Sequence, residues 1–456
     1  MYKRGLAIII LILISLPAFA QITNDAKGIE KIDVETYELF NKAKWEQLTE
    51  LGNRALEAGI DFYYLRMRIG IAYYNQRNYM SSISHFKSAL EFIPKEPAAL
   101  EYLYWALVFS GLEREARVLA SEMPEKLRDG IGAKPDRVIH DFYAEGGLMY
   151  NGDNIAAPYG NRGSDTIIYA EQKPDKNSTY LSVNLNIIPF SRMTIFQGYN
   201  NINISSKKSF ASLGNAPENY ELNTRQNEYY LNAGVYAGKG FAISGILHYL
   251  NIGVDDVNAS VNTTTGGITY TKTSSTLNNY VGLLSIEKSW GHFKFLLNNS
   301  YSNLNYSKQI QNSVTVAYFP TGNLDFYSVT DLVLHSDKPD SIKGNRTEYL
   351  TRGIVKQKFG AKVAEKLWVE AFYMFGNAEN YHEDNAFVVF NSANVMYNRL
   401  GINIISPITQ NISLSLRYQY YKQDVSELVY ETSTSYKIEE KTNSFHKIIG
   451  GIKWTF

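Results

Sequence analysis

The chain of 456 residues contains no cysteine. It therefore has no disulfide, no thiol nucleophile, no thiolate metal site and no cysteine for lipid attachment. Net charge is also missing, because Lys+Arg and Asp+Glu number 45 each, so no overall field attracts nucleic acid or acidic polymers. Beyond residue 20 no apolar run is long enough for a membrane-spanning helix, which needs about 18 residues.

Catalytic patterns are scarce as well. The seven histidines are scattered, and no two have metal-ligand spacing. His248 lies in a predicted strand without a fixed Ser or Asp partner, which favours a polar wall residue over a catalytic one. The acid pairs Asp255-Asp256 and Glu439-Glu440 could bind cations but are more simply solvated loop residues. The residues thus predict no enzyme, no cofactor and no metal site.

The first residues predict export. Lys3 and Arg4 precede an apolar run over 6–16, and Ala18 and Ala20 form a small-x-small cleavage site. This order is typical of a secretory signal peptide, here residues 1–20.

Residues 21–136 are predicted to form a periplasmic helical domain with an internal repeat of 34 residues, in units of about 29–62, 63–96 and 97–130. The middle unit resembles a tetratricopeptide repeat at Gly70, Tyr73, Tyr79, Phe86, Ala89 and Pro94. The alternative is a helical bundle without repeats. The resemblance implies a concave surface that binds a periplasmic protein or polymer, and Arg66 and Asn75 are its candidate partner-binding residues.

From residue 137 to residue 456 the pattern changes to alternation. Residues 180–187 and 412–420 each place apolar side chains on one face and polar ones on the other. Short connections lie at about 190–192, 238–240, 290–292, 320–323, 360–366 and 407–410, and long polar ones at about 153–177, 207–223, 253–275, 307–313, 336–345, 378–386 and 424–440. Alternating short turns and long outer loops predict an antiparallel transmembrane β-barrel of about fourteen strands.

Strand parity also selects candidate lumen residues. These are Arg352, Lys356, Glu370, Arg417 and Lys453. A charged side chain costs little beside water and much beside lipid, so these residues are expected on the inner face. They could line an open conduit or pair with one another in a plugged barrel, and the sequence leaves both alternatives open.

The last residues, 444–456, form a predicted strand with an apolar face that ends in Trp454 and Phe456. This stretch resembles the terminal strand of Gram-negative outer-membrane barrels, where a glycine and two aromatics are recognised by the barrel-assembly machinery. The matching residues are Gly451, Trp454 and Phe456, although Gly450 replaces the polar residue that the family prefers. The resemblance implies two partners, the outer-membrane lipid bilayer and the assembly machinery, and places the N-terminal domain in the periplasm.

Helical repeats followed by a barrel resemble two kinds of outer-membrane exporter, the exopolysaccharide-export porins and the surface-lipoprotein assembly modulators. Both imply a conduit or assembly factor for export of a polysaccharide or protein, with repeats that recruit cargo. Neither resemblance supplies a site residue. A passive or selective porin tethered by its repeats is the alternative, and a barrel hydrolase is a third class that the absence of a Ser/His/Asp pattern disfavours.

The terminal strand yields a test. We expect removal of residues 454–456, or Phe456→Ala, to slow insertion, because the aromatic recognition residues are lost. The measurement is the amount of heat-modifiable protein in isolated outer membranes after a pulse of synthesis. Normal amounts after the three-residue deletion would refute the assembly-signal hypothesis.

Overall fold

The computed structural model describes residues 25–133, 138–153, 169–212, 217–261, 267–339, 348–392, 394–430 and 435–456. The chain forms two compact units, one that ends at Ala106 and one from Leu107 to Phe456. The predicted signal peptide lies outside the described residues. Within these ranges no helix is both long and apolar enough to cross a membrane.

Seven helices occupy the described N-terminal residues. They are α1 (Ala26–Asn41), α2 (Trp45–Glu57), α3 (Tyr63–Asn75), α4 (Tyr79–Phe92), α5 (Pro97–Phe109), α6 (Glu113–Glu122) and α7 (Glu125–Gly130). The even-numbered helices α2, α4 and α6 begin 34 residues apart, as do α3 and α5. The helix boundaries therefore follow the repeat length that the sequence indicates.

Small residues let the helices of the first unit approach closely. A Cβ atom on Gly70 of α3 would lie 2.6 Å from the ring of Phe86 of α4, and one on Gly52 of α2 would lie 2.5 Å from Ile69. Ala89 is fully buried beside this contact. Larger side chains at these positions would overpack the interior, which typically costs about 1–3 kcal/mol.

The second unit contains a barrel. Its strands are β1 (Ile139–Asn151), β2 (Tyr169–Gln172), β3 (Asp175–Phe190), β4 (Met193–Ser212), β5 (Glu218–Gly238), β6 (Phe241–Val261), β7 (Ile268–Trp290), β8 (Phe293–Ser302), β9 (Ser307–Tyr318), β10 (Phe326–Pro339), β11 (Leu350–Ala364), β12 (Leu367–Phe375), β13 (Tyr381–Glu383), β14 (Val388–Phe390), β15 (Met396–Pro407), β16 (Ile412–Tyr430) and β17 (Tyr436–Thr455). Fourteen of them form a closed antiparallel ring, and β2, β13 and β14 lie outside that ring.

The ring closes where the last strand meets the first. Strand β17 pairs with β1 from Asp141↔Thr455 to Asn151↔Phe445, and with β16 on its other side. The other ring strands pair in chain order, and a strand is skipped in two places: β1 pairs with β3 past β2, and β12 pairs with β15 past the inserted hairpin β13–β14. The predicted α plus transmembrane β architecture of about fourteen strands is confirmed.

The outer face of the barrel carries an apolar band between two rings of aromatic side chains. Tyr199, Tyr229, Tyr249, Tyr280 and Tyr301 are exposed toward one end, and Trp290, Phe293, Tyr318, Phe326 and Trp454 toward the other. On β6 the distance from Phe241 to Tyr249 is about 26 Å along the strand, at ~3.3 Å per residue. Strands of outer-membrane barrels are tilted by about 40°, so this length corresponds to a height of roughly 20 Å, which is close to the apolar band of such barrels.

The short turns and the longer connections lie at opposite ends of the barrel, here named the turn end and the loop end. At the loop end several strands continue beyond the aromatic ring. The ladder between β6 and β7 extends through Asp255↔Ser274 to Val261↔Ile268, and that between β16 and β17 extends to Tyr430↔Tyr436. Much of the predicted loops 207–223, 253–275 and 424–440 is therefore strand, because backbone pairing continues where the side chains are already polar.

The prediction of a long loop at 307–313 is wrong. These residues lie in β9, and β8 reaches β9 through a corner at 303–306 in which Asn305 and Tyr306 have positive φ. The side chain of Gln309 accepts from the backbone N–H of Leu304 and donates to its carbonyl, both at 2.9 Å. These bonds pair both backbone groups of Leu304, so the short corner can join β8 to β9 without a long polar loop.

His85 of α4 is buried in the first unit, where its ring stacks on Tyr73 with centroids 5.5 Å apart. Burial, together with the Arg66 guanidinium 3.5 Å from Nδ1, lowers the pKa of His85 to about 4. The neutral ring is thus the form that fits the folded unit.

This burial predicts acid sensitivity of the helical unit. The folded-state pKa lies below the unfolded one, so stability is fully present above pH ~6.5 and decreases as the pH falls toward 4, by roughly 3 kcal/mol at most. Hydrogen exchange of the α3 and α4 amides in the full chain should accelerate over that interval. His85→Gln should flatten the pH profile, whereas His292→Gln, in a barrel turn, should leave it unchanged. Equal profiles for wild type and His85→Gln would contradict the assignment.

Candidate functional site

A loop folded into the lumen is the main feature of the barrel interior. Between β12 and β15, residues 376–392 contain the hairpin β13–β14 and are named the inner loop. The prediction that residues 378–386 form an external loop is wrong. The apolar residues that follow, such as Phe387 and Phe390, pack inside the barrel, and the acidic ones meet cations on its wall.

A buried carboxylate anchors the loop. Oε1 of Glu383 accepts from Nη2 of Arg399 on β15 at 2.6 Å, and Oε2 accepts from Nζ of Lys356 on β11 at 3.1 Å. The side chains of Glu383 and Arg399 are each 3% exposed. Nζ of Lys356 also lies 3.4 Å from Asp384 of the same loop. One acidic group of the loop therefore joins two strands of the ring.

The loop also reaches the opposite wall. Nδ1 of His248 on β6 donates to the carbonyl of Ala386 at 2.6 Å, and the Tyr230 hydroxyl on β5 donates to the carbonyl of Asn385 at 3.0 Å. Nε2 of His382 is 2.7 Å from the Ser300 hydroxyl on β8. The loop thus crosses the lumen from wall to wall.

The tip of the inner loop has an uncommon backbone. Asp384, Asn385 and Ala386 are consecutive and have φ of 52°, 55° and 61°. Aspartate and asparagine tolerate this left-handed region, whereas alanine adopts it at a cost. Ala386 is fully buried, with Tyr230 and Leu250 in the same apolar cluster. Packing and the carbonyl bonds above hold the tip in this conformation.

The inner loop leaves two polar cavities. The larger, of about 380 Å³, lies against β1, β3–β5, β11, β12 and β15–β17, and the smaller, of about 350 Å³, against β7–β11. Lys356, Glu383 and Asp384 line both. The lumen is therefore divided by the loop rather than filled by it.

Each sequence-selected lumen residue lies on the inner face and has a charged partner. Arg352 pairs with Asp337 at 2.6 Å and with Glu379 of the inner loop at 2.9 Å, Lys356 pairs with Glu383, Glu370 with Lys358 at 3.4 Å, Arg417 with Glu145 at 3.7 Å, and Lys453 with Asp141 at 3.5 Å. These charges are therefore paired with one another or with the inner loop that crosses the lumen. Sequence reasoning missed Glu383 and Arg399, although the apolar content of residues 386–390 could have indicated that this loop is buried.

The residues of the terminal strand occupy both faces. Gly451 faces inward, where an added Cβ would lie 2.6 Å from the Tyr143 hydroxyl and 2.7 Å from that of Ser415. Trp454 and Phe456 face outward, with stacked rings 5.2 Å apart. A side chain at 451 would therefore displace these two hydroxyls, and the aromatics belong to the outer ring at the turn end.

The two candidate partner-binding residues have local partners. Arg66 donates from Nε and Nη2 to both carboxylate oxygens of Asp61, at 2.7 and 2.6 Å. Asn75 donates to the carbonyl of Ile71 one turn earlier at 2.8 Å. Arg66 is therefore engaged within its own helical unit, and only Asn75 lies on an exposed position.

Helix α6 contacts the turn end of the barrel within the second unit. Glu122 accepts from Nη2 of Arg192, in the turn after β3, at 3.1 Å, and Arg114 lies 3.8 Å from Glu287 of β7. A cavity of about 260 Å³ separates α6 from the inner wall. These partly exposed ion pairs are each worth about 0.2–1 kcal/mol, so the contact is weak compared with the strand ladders.

Comparison with known proteins gives a likeness in fold. No family model and no curated protein matches the chain. Among solved structures it is similar to a FadL homologue of Pseudomonas aeruginosa (6% identity, 70% of this chain and 90% of that one, TM-score 0.42), to a deletion mutant of the TodX monoaromatic hydrocarbon channel (7%, 71% and 91%, 0.43), and to a bacterial polysaccharide outer membrane secretin (9%, 70% and 100%, 0.35). The likeness is one of barrel architecture alone. At such identities and scores it names no substrate.

The anchor of the inner loop yields a prediction. Glu383→Gln keeps the shape of the side chain but leaves Arg399 and Lys356 short of a buried counter-charge, which typically costs roughly 3–5 kcal/mol. We expect the loop to leave its wall contacts and single-channel recordings in planar bilayers to show frequent openings. Glu221→Gln, which breaks only the exposed 3.3 Å pair with Lys176, is the matched control. Identical recordings for Glu383→Gln and wild type would show that the carboxylate does not hold the loop.

Proposed function

We propose that the protein is a gated, selective channel of the bacterial outer membrane for a small polar solute. The observation that carries this proposal is the inner loop, which crosses the lumen and leaves polar cavities of about 380 and 350 Å³ on its two sides. Cavities of this size suit small-molecule ligands. In this proposal the barrel conducts only when its loop moves, and the size and polarity of the cavities beside the loop select the solute.

The geometry argues against a passive porin. A permanently open pore needs a continuous aqueous path, whereas the lumen is crossed by a loop that Glu383 ties to Arg399 and Lys356. Breaking such buried contacts requires a compensating interaction, which a bound solute or a partner protein would provide. Opening is therefore coupled to recognition in this proposal.

Localisation follows from the same barrel. The apolar band between aromatic rings, the closed ring and the short turns at one end are features of outer-membrane barrels, whose short turns face the periplasm. We place the turn end, helix α6 and the N-terminal helices in the periplasm. Residues 1–20 serve as the signal peptide, and Gly451, Trp454 and Phe456 as the assembly signal.

A second candidate is the export or assembly conduit. It is favoured by the 34-residue spacing of helix starts, which fits tetratricopeptide-like units that bind a periplasmic protein or polymer. The occupied lumen weighs against a wide polymer, since the whole inner loop would have to leave. A conduit would thus need a periplasmic partner to open it. In both candidates the chain acts without catalysis.

Solute flux tests the channel. The full chain and a variant with residues 379–391 replaced by a short Gly/Ser linker are placed in liposomes, and swelling is measured with neutral sugars of increasing size. We expect slow swelling with wild type and fast swelling with the variant for sugars up to a size limit, because the linker no longer crosses the lumen.

Three outcomes separate the classes. Wild type that is as permeable as the variant would indicate a passive porin. A variant that stays impermeable although correctly inserted would refute the channel. A wild-type barrel that opens only after a periplasmic extract is added on the turn-end side would favour the conduit.

A further inference from the structure

The larger lumen cavity is lined by five basic side chains, and four of them have carboxylate partners. Lys356 and Arg399 share Glu383, Lys358 pairs with Glu370, and Arg417 lies 3.7 Å from Glu145. The fifth is Lys447 of β17. Its surroundings differ from those of the other four.

Lys447 faces the cavity without an ion pair to any described carboxylate. Across the neighbouring strands it lies opposite Gln419 and Met149, both uncharged. Its Nζ lies 5.1 Å from the ring centre of Tyr180, a contact that leaves the other side of the ammonium open to the cavity. Glu145 and Glu228 act on this ammonium through space, but neither forms an ion pair with it.

Arg399, on the same cavity, has donors in excess. It is 2% exposed, and Nη2 donates to Glu383, but Nε and Nη1 have no hydrogen-bond partner among the described groups. The rings of Phe372 and Phe390 lie 5.0 and 4.9 Å from its guanidinium carbon and exclude water from both faces. Buried guanidinium groups normally satisfy their donors, so this arrangement points to an acceptor from outside the chain.

The nearby carboxylates are already engaged. Both oxygens of Glu383 accept from Arg399 and Lys356. Glu145 accepts from the hydroxyls of Tyr143 and Tyr180 and lies beside Arg417. Neither is free to turn toward Lys447. The six carboxylates that line the cavity all accept from other groups of the chain, so the donors left over are those of Lys447 and Arg399, although the lining as a whole carries no surplus of positive charge.

We propose that this cavity binds a small anionic solute, whose carboxylate or phosphate oxygens accept from Lys447 and, once the inner loop gives way, from the buried nitrogens of Arg399. The inference rests on the proposed channel function and adds the charge class of its solute. Because Arg399 also holds Glu383 of the inner loop, an anion that takes up its donors competes with the loop for the same guanidinium. Solute binding and loosening of the loop then share one residue.

Equilibrium binding tests the site. The full chain in detergent micelles is titrated calorimetrically with glucuronate, with inorganic phosphate and with glucose, the neutral counterpart of glucuronate. We expect at least one of the two anions to bind, and glucose to bind about tenfold more weakly than glucuronate or not at all, because a charge-assisted hydrogen bond typically contributes about that factor.

The chain offers a matched pair of lysines for the control. Lys447→Met should weaken anion binding about tenfold or more, and Lys447→Arg should restore most of it. Lys362→Met should have no effect, since Lys362 also lies on the inner face, 5.1 Å from the ring of Trp368, but does not line the cavity. Heat-modifiability of each variant checks that the barrel is intact.

The outcomes are distinct. Failure of both anions to bind wild type, equal affinity for glucuronate and glucose, or equal losses in Lys447→Met and Lys362→Met would each overturn the anion site. Binding in micelles needs no passage across a membrane. If no anion binds in micelles but the loop-deleted barrel shows normal flux, this inference is refuted and the channel is not. If an anion binds but the loop-deleted barrel shows no flux, the channel is refuted and the anion site is not.

Discussion

Satisfaction of backbone hydrogen bonds in lipid is the constraint on which this structure depends. An open sheet edge inside the hydrocarbon layer would leave a row of unpaired N–H and C=O groups, each at a cost of several kcal/mol, so the fourteen strands must close into a ring. The closing ladder, β17 against β1, brings Phe142 opposite Trp454 and Gly146 opposite Gly450. Once the ring is closed, alternation sends every second side chain into a space shielded from lipid, where charges can be kept. The ion pairs of the lumen follow from that closure.

Inside the ring, charge rather than apolar packing decides which parts are joined. Glu383 connects the inner loop to two strands, and Arg352 connects the same loop through Glu379. A buried ion pair adds little net stability compared with an apolar core of the same volume, but it is costly to break one-sidedly. In the proposed channel, that asymmetry suits a loop that stays docked by default and is released when another charged group competes. Apolar contacts such as Phe387 with Phe196 and Tyr230 set the position of the loop without providing this sensitivity.

Much of this fold could be predicted from sequence, for physical reasons that differ between regions. Period-two alternation over 412–420 and the spacing of turns determine strands, parity and the number of strands, because one face must be apolar along its whole length. The same parity assigns Arg352, Lys356, Glu370, Arg417 and Lys453 to the polar faces of their strands, and the structure adds their charged partners. Alternation and turn spacing do not show whether the inner loop points into the lumen or out to solvent. The apolar residues 386–390 favour burial of this segment, but contacts with strands more than a hundred residues away, such as His248 with Ala386, are needed to show that it lies in the lumen. For the same reason Glu383 and Arg399 were not found.

The long reach of the inner loop has a consequence for biogenesis. Its partners on β5, β6 and β8 and its anchor on β15 are far apart in sequence, so they become neighbours only when the ring has closed. Docking of the inner loop is accordingly a late event that follows closure of the ring. A barrel whose ring has closed but whose inner loop has not yet docked has nothing across its lumen, so we expect docking of the loop to be the last step that restricts passage.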